Sequence, residues 1–188
     1  PRISARTATR MMTRRDPWVN MLRTTAACFA AGTGGADSVT VQPFDAALGL
    51  ADDLGRRIAR NTQLILQEES HVAAVLDPAG GSYFIETLTD QFTDLAWSRF
   101  QAIEAGGGMF AVLVDGSEAS VLAATSEDRL RNVARRKDPL TGVTEFPNIE
   151  ERILERERPD VAALRSTLWS STPPVAGAGT ATVIERLP

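Results

Sequence analysis

From Asp16 to Pro43 the chain reads DPWVNMLRTTAACFAAGTGGADSVTVQP, and this stretch decides the fold class. Asp16 can accept from the free amides of a helix start, and Pro17 suits the first helical position, where no N–H is needed. Trp18, Leu22, Thr25 and Phe29 recur at helical spacing, which predicts a helix to about Ala31 with those four residues on its buried face. Gly32, Gly34 and Gly35 supply the stop. Ser38-Val39-Thr40-Val41-Gln42-Pro43 then alternates, is rich in β-branched residues and closes at proline, which predicts a strand. Another strand within Ala5–Met12 would complete a strand-helix-strand unit, whose crossover makes the two strands parallel.

Working outward, the unit repeats. Asp52 or Asp53 can cap a helix carrying Leu54, Ile58 and Ile65 on one side and ending near Glu69. Val72–Leu76 is the next apolar run and the expected third strand, closed by Asp77-Pro78-Ala79-Gly80-Gly81-Ser82. A third helix is expected from about Thr87 to Ala105, with Leu88, Phe92, Leu95 and Ile103 inward and Gly106-Gly107-Gly108 as the stop. Three alternations of strand and helix predict an α/β fold with a parallel sheet. Closing a barrel takes eight such units, so the expectation is a piece of a larger (β/α)8 TIM barrel whose other strands come from elsewhere. After Met109, Ser126–Arg136 reads as a charged helix, Lys137–Gly142 as a turn and Ile149–Arg158 as a charge-dense surface helix. Residues from Ser170 onward have the composition of a linker or tail. The expected divisions are therefore 1–110 for the barrel part, 111–169 for a helical and loop segment, and 170–188 for the tail.

The 188 residues are 43% hydrophobic and 23% charged, within the range of one soluble domain. A net charge of -4 and an isoelectric point near 5.1 exclude a general attraction to polyphosphate, leaving only local basic patches. One such patch exists: Arg2, Arg6, Arg10 and Arg14 recur every four residues and Arg15 adjoins them. Phosphate contact is one reading, since guanidinium forks match phosphate oxygens. A solvated or subunit-facing edge is the other, favoured by the lack of further basic clusters. Cys28 is the only cysteine, which excludes an internal disulfide and any multi-cysteine metal site and fits a reducing, cytoplasmic setting. No apolar run approaches the roughly 18 residues that span a bilayer, so no membrane partner is expected. The chain begins at Pro1 in arginine-rich sequence and is expected to be a segment of a longer polypeptide.

His71, the single histidine, lies in Glu68-Glu69-Ser70-His71, but neighbouring side chains diverge and cannot close on one metal. A structural role near a helix C-terminus is the expectation. Asp77-Pro78-Ala79-Gly80-Gly81-Ser82 lacks the Gly-x-x-x-x-Gly-Lys pattern of a phosphate loop. It and Phe44-Asp45-Ala46-Ala47-Leu48-Gly49 instead occupy strand-to-helix loops, which in barrels lie on the face where sites assemble.

Several stretches together closely resemble the methylmalonyl-CoA mutase family: Arg14-Arg15-Asp16-Pro17-Trp18-Val19-Asn20-Met21-Leu22-Arg23-Thr24-Thr25, Pro43–Leu50, Arg57–Gln63, Gln67–Ser70 and Asp77–Tyr83. The resemblance runs from about Ala5 to Met109 without a gap. It implies a (β/α)8 barrel that holds acyl-CoA, with the last three strand-helix units supplied here, and a separate adenosylcobalamin domain. Through that cofactor the family interconverts (R)-methylmalonyl-CoA and succinyl-CoA by a radical route. The cobalt-ligand motif, Asp-x-His-x-x-Gly, is not present, and His71 does not stand in it. By position in the family loop, Ala46, Ala47 and Gly49 are the cofactor-facing candidates, and Gln42 and Phe44 the substrate-facing ones.

The departures from the family pattern carry as much weight. Catalytic members have His-x-Gln-Thr-Ser-Gly-Trp-Ser on the strand before the Asp-Pro helix, and counting back from Asp16 puts Ser4 at the His, Arg6 at the Gln and Arg10 at the Trp. Ala46 stands at the Glu of the Phe-Asp-Glu-Ala-Leu-Gly loop. Met11–Trp18 and Lys137–Asn148 look like the small, non-catalytic subunit of heterodimeric bacterial mutases. The resemblance therefore implies a small-subunit piece with no catalytic residue and no metal of its own, partnered by a large catalytic subunit, and with adenosylcobalamin in the complex but not on this chain. The alternatives are an active acyl-CoA mutase in which Arg6 and Arg10 serve a different acyl group or CoA phosphates, and a nucleic-acid-binding arm at Arg2–Arg15.

Overall fold

The computed structural model describes residues 2–160. Its sheet has two strands, β1 (Ser4–Arg6) and β2 (Ser38–Thr40), which pair in parallel with Ser4 opposite Ser38, Ala5 opposite Val39 and Arg6 opposite Thr40. The pairing extends past both ends of β1: Asp37 N donates to Ile3 O at 2.8 Å and Thr7 N to Thr40 O at 3.0 Å. Between the strands runs α1 (Val19–Thr33), so the strand-helix-strand unit expected from the sequence is present. Then come α2 (Asp53–Leu64), α3 (Tyr83–Ala105), α4 (Gly108–Asp115) and α5 (Ser117–Ala134). The fold is α/β, with a short parallel sheet and more helix than the sequence suggested.

Several boundaries move for physical reasons. The segment after β1 forms a 3-10 turn at Thr9–Met11 instead of continuing as strand to Met12. Asp16 does not cap α1: its φ is +42°, and its N–H donates to Glu151 Oε1 at 2.7 Å. The buried face of α1 is Asn20, Thr24 and Cys28, whereas Trp18, Leu22 and Phe29 are about half exposed or more. Helical spacing alone does not say which of two stripes faces inward. Here the inward stripe is the smaller and more polar one, and its hydroxyl is satisfied within the helix, Thr24 Oγ1 donating to Asn20 O at 3.0 Å.

Asp52 caps α2 as expected, accepting from Gly55 N at 2.8 Å. Again small residues face in: Gly55, Ala59 and Thr62 are buried, while Leu54 and Ile65 are exposed and Ile58 is half-buried. A π-helical turn, Ile65–Glu69, ends the helix where the sequence placed its end. Cys28, Val41 and Ala59 form the core, with Val39 and Leu66 against it, so α1, β2 and α2 close on one another through side chains that permit near approach.

The third expected strand is not formed. Val72–Ala74 is a 3-10 turn and Leu76 is fully exposed, because no neighbouring strand is present to take its backbone hydrogen bonds. Helix α3 starts four residues before the expected Thr87, and Leu88, Phe92 and Leu95 point to solvent instead of inward. The short apolar helix α4 was unanticipated. Helix α5 begins nine residues ahead of the expected Ser126, its first amides served by Asp115, whose Oδ1 accepts from Ser117 N at 2.8 Å. The Lys137–Gly142 turn is present, Gly142 N donating to Glu145 O at 2.7 Å. Ile149–Arg158, expected to be helical, is instead an irregular strap laid across the body, because its charged side chains find partners there. The expected 170–188 tail lies outside the described residues.

Burial raises the pKa of the Cys28 thiol by desolvating its thiolate. The native protein is accordingly expected to react with iodoacetamide far more slowly than the urea-unfolded chain. Equal rates in the two states would contradict the packing of α1 on β2.

Candidate functional site

The polypeptide following the C-terminal ends of β1 and β2 forms a rim, held by polar side chains that the elements bury. Asn20, on the first turn of α1 and fully buried, donates from Nδ2 to Thr13 O and Phe44 O, both at 2.9 Å. Its Oδ1 accepts from Thr13 N at 3.0 Å and from Arg23 at 2.8 Å. One amide thus joins the helix to the loops after both strands. Gln42 closes the same rim: its N–H donates to Thr7 Oγ1 at 2.8 Å and its Nε2 to Thr7 O at 2.9 Å. Phe44, 1% exposed, stacks on Trp18 with ring centroids 5.0 Å apart.

Asp45 is the most heavily buried charge. Its side chain is fully enclosed, and its Oδ2 accepts from Arg156 Nε at 2.5 Å. A second branch of the same guanidinium reaches Asp52 at 2.7 Å, so one arginine of the strap neutralises two carboxylates. Asp45 Oδ1 has no hydrogen-bond partner and lies against Gly55, where any Cβ would overlap it. Gly49 has the same function on the other side, since a Cβ there would overlap Glu157 O of the strap. The strap is further fixed by Leu50 N donating to Glu157 O at 2.7 Å and Arg158 Nε to Leu48 O at 3.2 Å.

Beneath the strap, between α1, α5 and the Arg10–Arg15 loop, is a cavity of about 900 Å³. Its apolar wall includes Met11, Met12, Leu130, Val133, Ile153 and Leu154, and among the described lining residues Glu155 is the one carboxylate. Arg23, which reaches Thr141 O at 2.5 Å, also lines it. Burial lowers the Arg23 pKa, with Asp16 opposing the effect, and the guanidinium remains charged at neutral pH.

The expected site residues are divided by the structure. Gln42, Phe44, Ala46, Ala47 and Gly49 do come together after β2, but Gln42 is tied to Thr7, Phe44 to Trp18, and Gly49 is covered by the strap. Ala46 and Ala47 are half-buried. Ser4 and Arg6 lie exposed on β1, with Ser4 Oγ accepting from Ser38 at 2.9 Å, whereas Arg10 lines the cavity. Residues 77–82 are not among its lining. His71 is exposed at φ +51°, and among the described residues no His, Cys, Asp or Glu cluster could hold a metal. No single described helix is long and apolar enough to cross a membrane. Sequence reasoning missed Arg129, Arg156 and Arg158. The signal for the last two was an Arg-Glu-Arg run read as a solvated face.

These features define an α/β protein built on a parallel strand-helix-strand unit, with a rim held by buried polar groups. A family model described as methylmalonyl-CoA mutase matches residues 2–171. The chain belongs to the methylmalonyl-CoA mutase family. It is 58% identical over 147 residues to the methylmalonyl-CoA mutase small subunit of Streptomyces virginiae, covering 78% of this chain and 24% of that protein. To the small subunit of Propionibacterium freudenreichii subsp. shermanii it is 45% identical over 170 residues, 89% of this chain and 27% of the relative. The methylmalonyl-CoA mutase of Escherichia coli K12 is 39% identical over 135 residues, 72% and 19% of the respective chains. The chain thus spans about a quarter of the length of the small subunits it matches.

Two substitutions test the rim. Asn20→Ala removes the shared partner of Thr13 and Phe44 and is expected to cost about 3 kcal/mol in urea unfolding; a loss below about 1 kcal/mol would mean that the bridge is dispensable. Arg156→Leu leaves the enclosed Asp45 without its counter-charge and should cost about 3–5 kcal/mol. Adding Asp45→Asn to it should recover part of that loss, and no recovery would place the cost elsewhere.

Proposed function

We propose that this chain is the C-terminal barrel part of a methylmalonyl-CoA mutase small subunit, which acts as a non-catalytic scaffold for a large catalytic subunit. The observation that carries the reading is the 58% identity to a protein named as a small subunit, across most of this chain. The side chains support it. Positions that the family pattern gives to His, Gln, Trp and Glu are here Ser4, Arg6, Arg10 and Ala46. Gln42 and Phe44, expected to face substrate, and Ala46, Ala47 and Gly49, expected to face cofactor, are in this reading scaffold positions that hold the rim to the strap.

The missing third strand and the solvent-facing apolar side of α3 also fit a larger barrel, because Phe92 and Leu95 are 62% and 66% exposed and would be covered by further strands and helices. Adenosylcobalamin supplies radical chemistry to the family; in this reading the residues here do not hold it, since His71 does not stand in the cobalt-ligand motif and Ala46 takes the place of the family loop's Glu. In the assembled enzyme the cofactor is then held by the large subunit, and what this chain's residues do is position that subunit.

The test is twofold. Incubated with adenosylcobalamin and (R)-methylmalonyl-CoA, the chain alone is expected to form no succinyl-CoA, while co-purification with a bacterial large subunit should yield a complex on gel filtration. Turnover by the chain alone would overturn the scaffold reading in favour of an active mutase, and failure to co-elute would remove the partner.

A further inference from the structure

The cavity under the strap has more positive charge than the fold uses. Arg15 pairs with Glu151, Arg23 is bonded to Asn20 and Thr141, Arg156 to Asp45 and Asp52, and Arg158 to Leu48 O. Arg10, Arg14 and Arg129 line the same space, and their guanidinium groups make no hydrogen bond or ion pair to any described residue. Three unpaired guanidinium groups around one cavity, in a chain whose net charge is -4, make a local anion site and not a general one.

The rest of the lining says what the anion is attached to. Met11, Met12, Leu130, Val133, Ile153 and Leu154 form an aliphatic wall, and among the described lining residues none is aromatic, so these residues offer a nucleobase no ring to stack on. The volume, about 900 Å³, lies in the range of small-molecule sites. A single carboxylate head would answer one guanidinium, whereas a phosphate monoester carries close to two charges and three acceptor oxygens near pH 7.

We propose that this cavity binds an aliphatic phosphate monoester, its head on Arg10, Arg14 and Arg129 and its alkyl body against the Met11–Met12 and Leu130–Val133 wall. The site takes only Leu48 from the Phe44–Gly49 loop and does not rest on the scaffold reading. Its likeness to a binding pocket comes from unused charge set beside aliphatic surface on two separate elements, the Arg10–Arg15 loop and α5.

Isothermal titration of the 188-residue chain with octyl phosphate tests it, with octanoate, 1-octanol and inorganic phosphate as comparison probes. Octyl phosphate should saturate at one per chain and bind at least tenfold tighter than each of the other three. Arg129→Ala and Arg14→Ala, both at exposed positions where folding should survive, should each weaken it roughly tenfold with unchanged circular dichroism. Arg60→Ala, an exposed arginine outside the cavity, should leave the affinity unchanged. Absence of saturation, equal binding of octanol, octanoate or inorganic phosphate, or equal weakening by Arg60→Ala would overturn the proposal. Catalytic turnover is not read at any point, so failure here and failure of the scaffold reading are distinguishable.

Discussion

The structure depends first on one buried amide. Asn20 sits where α1 leaves the rim, and it satisfies the backbone of the loop after β1 and the loop after β2 at once. A two-stranded sheet of three residues per strand is too short to fix those loops by its own ladder. The amide therefore does for the rim what a longer sheet does elsewhere: it sets the distance between the strand ends. Because the group is enclosed, each of its bonds is made in a setting where an unmade one is costly. The packing beneath follows from the same position, since Thr24 and Cys28 lie one and two turns along the face that Asn20 begins.

The second constraint is electrostatic. Asp45, fully enclosed, is held by Arg156, and the pair lies between two glycines where a side chain would not fit, Gly49 under the strap and Gly55 against Asp45 itself. Buried ion pairs stabilise less than their short distances suggest, because both partners lose hydration. What this one contributes is specificity of position. Arg156 lies on the same strap as Ile153 and Leu154, so the pair that neutralises Asp45 helps to hold that wall of the cavity in place.

How much of this could be read in the sequence follows from the range of each interaction. The first strand-helix-strand unit, the Asp52 cap and the Lys137–Gly142 turn were legible because their signals are local: caps, glycines and alternation act within a few residues. The inward faces of α1 and α2 were misread, because the large apolar residues form the more conspicuous stripe while the close packing of this core selects Asn20, Thr24, Gly55 and Ala59. Val72–Leu76 has the composition of a strand, but a strand is made by its neighbour. The sequence marks Phe44–Gly49 as a strand-to-helix loop, yet the partner that holds it, Arg156, is 111 residues away and carries no local mark.

That separation has a consequence for how the chain comes to be folded. β1, α1, β2 and α2 all lie within the first 64 residues, so a growing chain can bring them together early. Asp45 would then have to lose its water before its counter-ion has been made, which the fold does not favour. The counter-ion that encloses Asp45 is available only once the segment holding Glu151 and Arg156 has emerged and can lie across the rim. The strap is the last described segment to be synthesised and the one that covers the rim, so the neutralisation of Asp45 is left to the end of this stretch of chain.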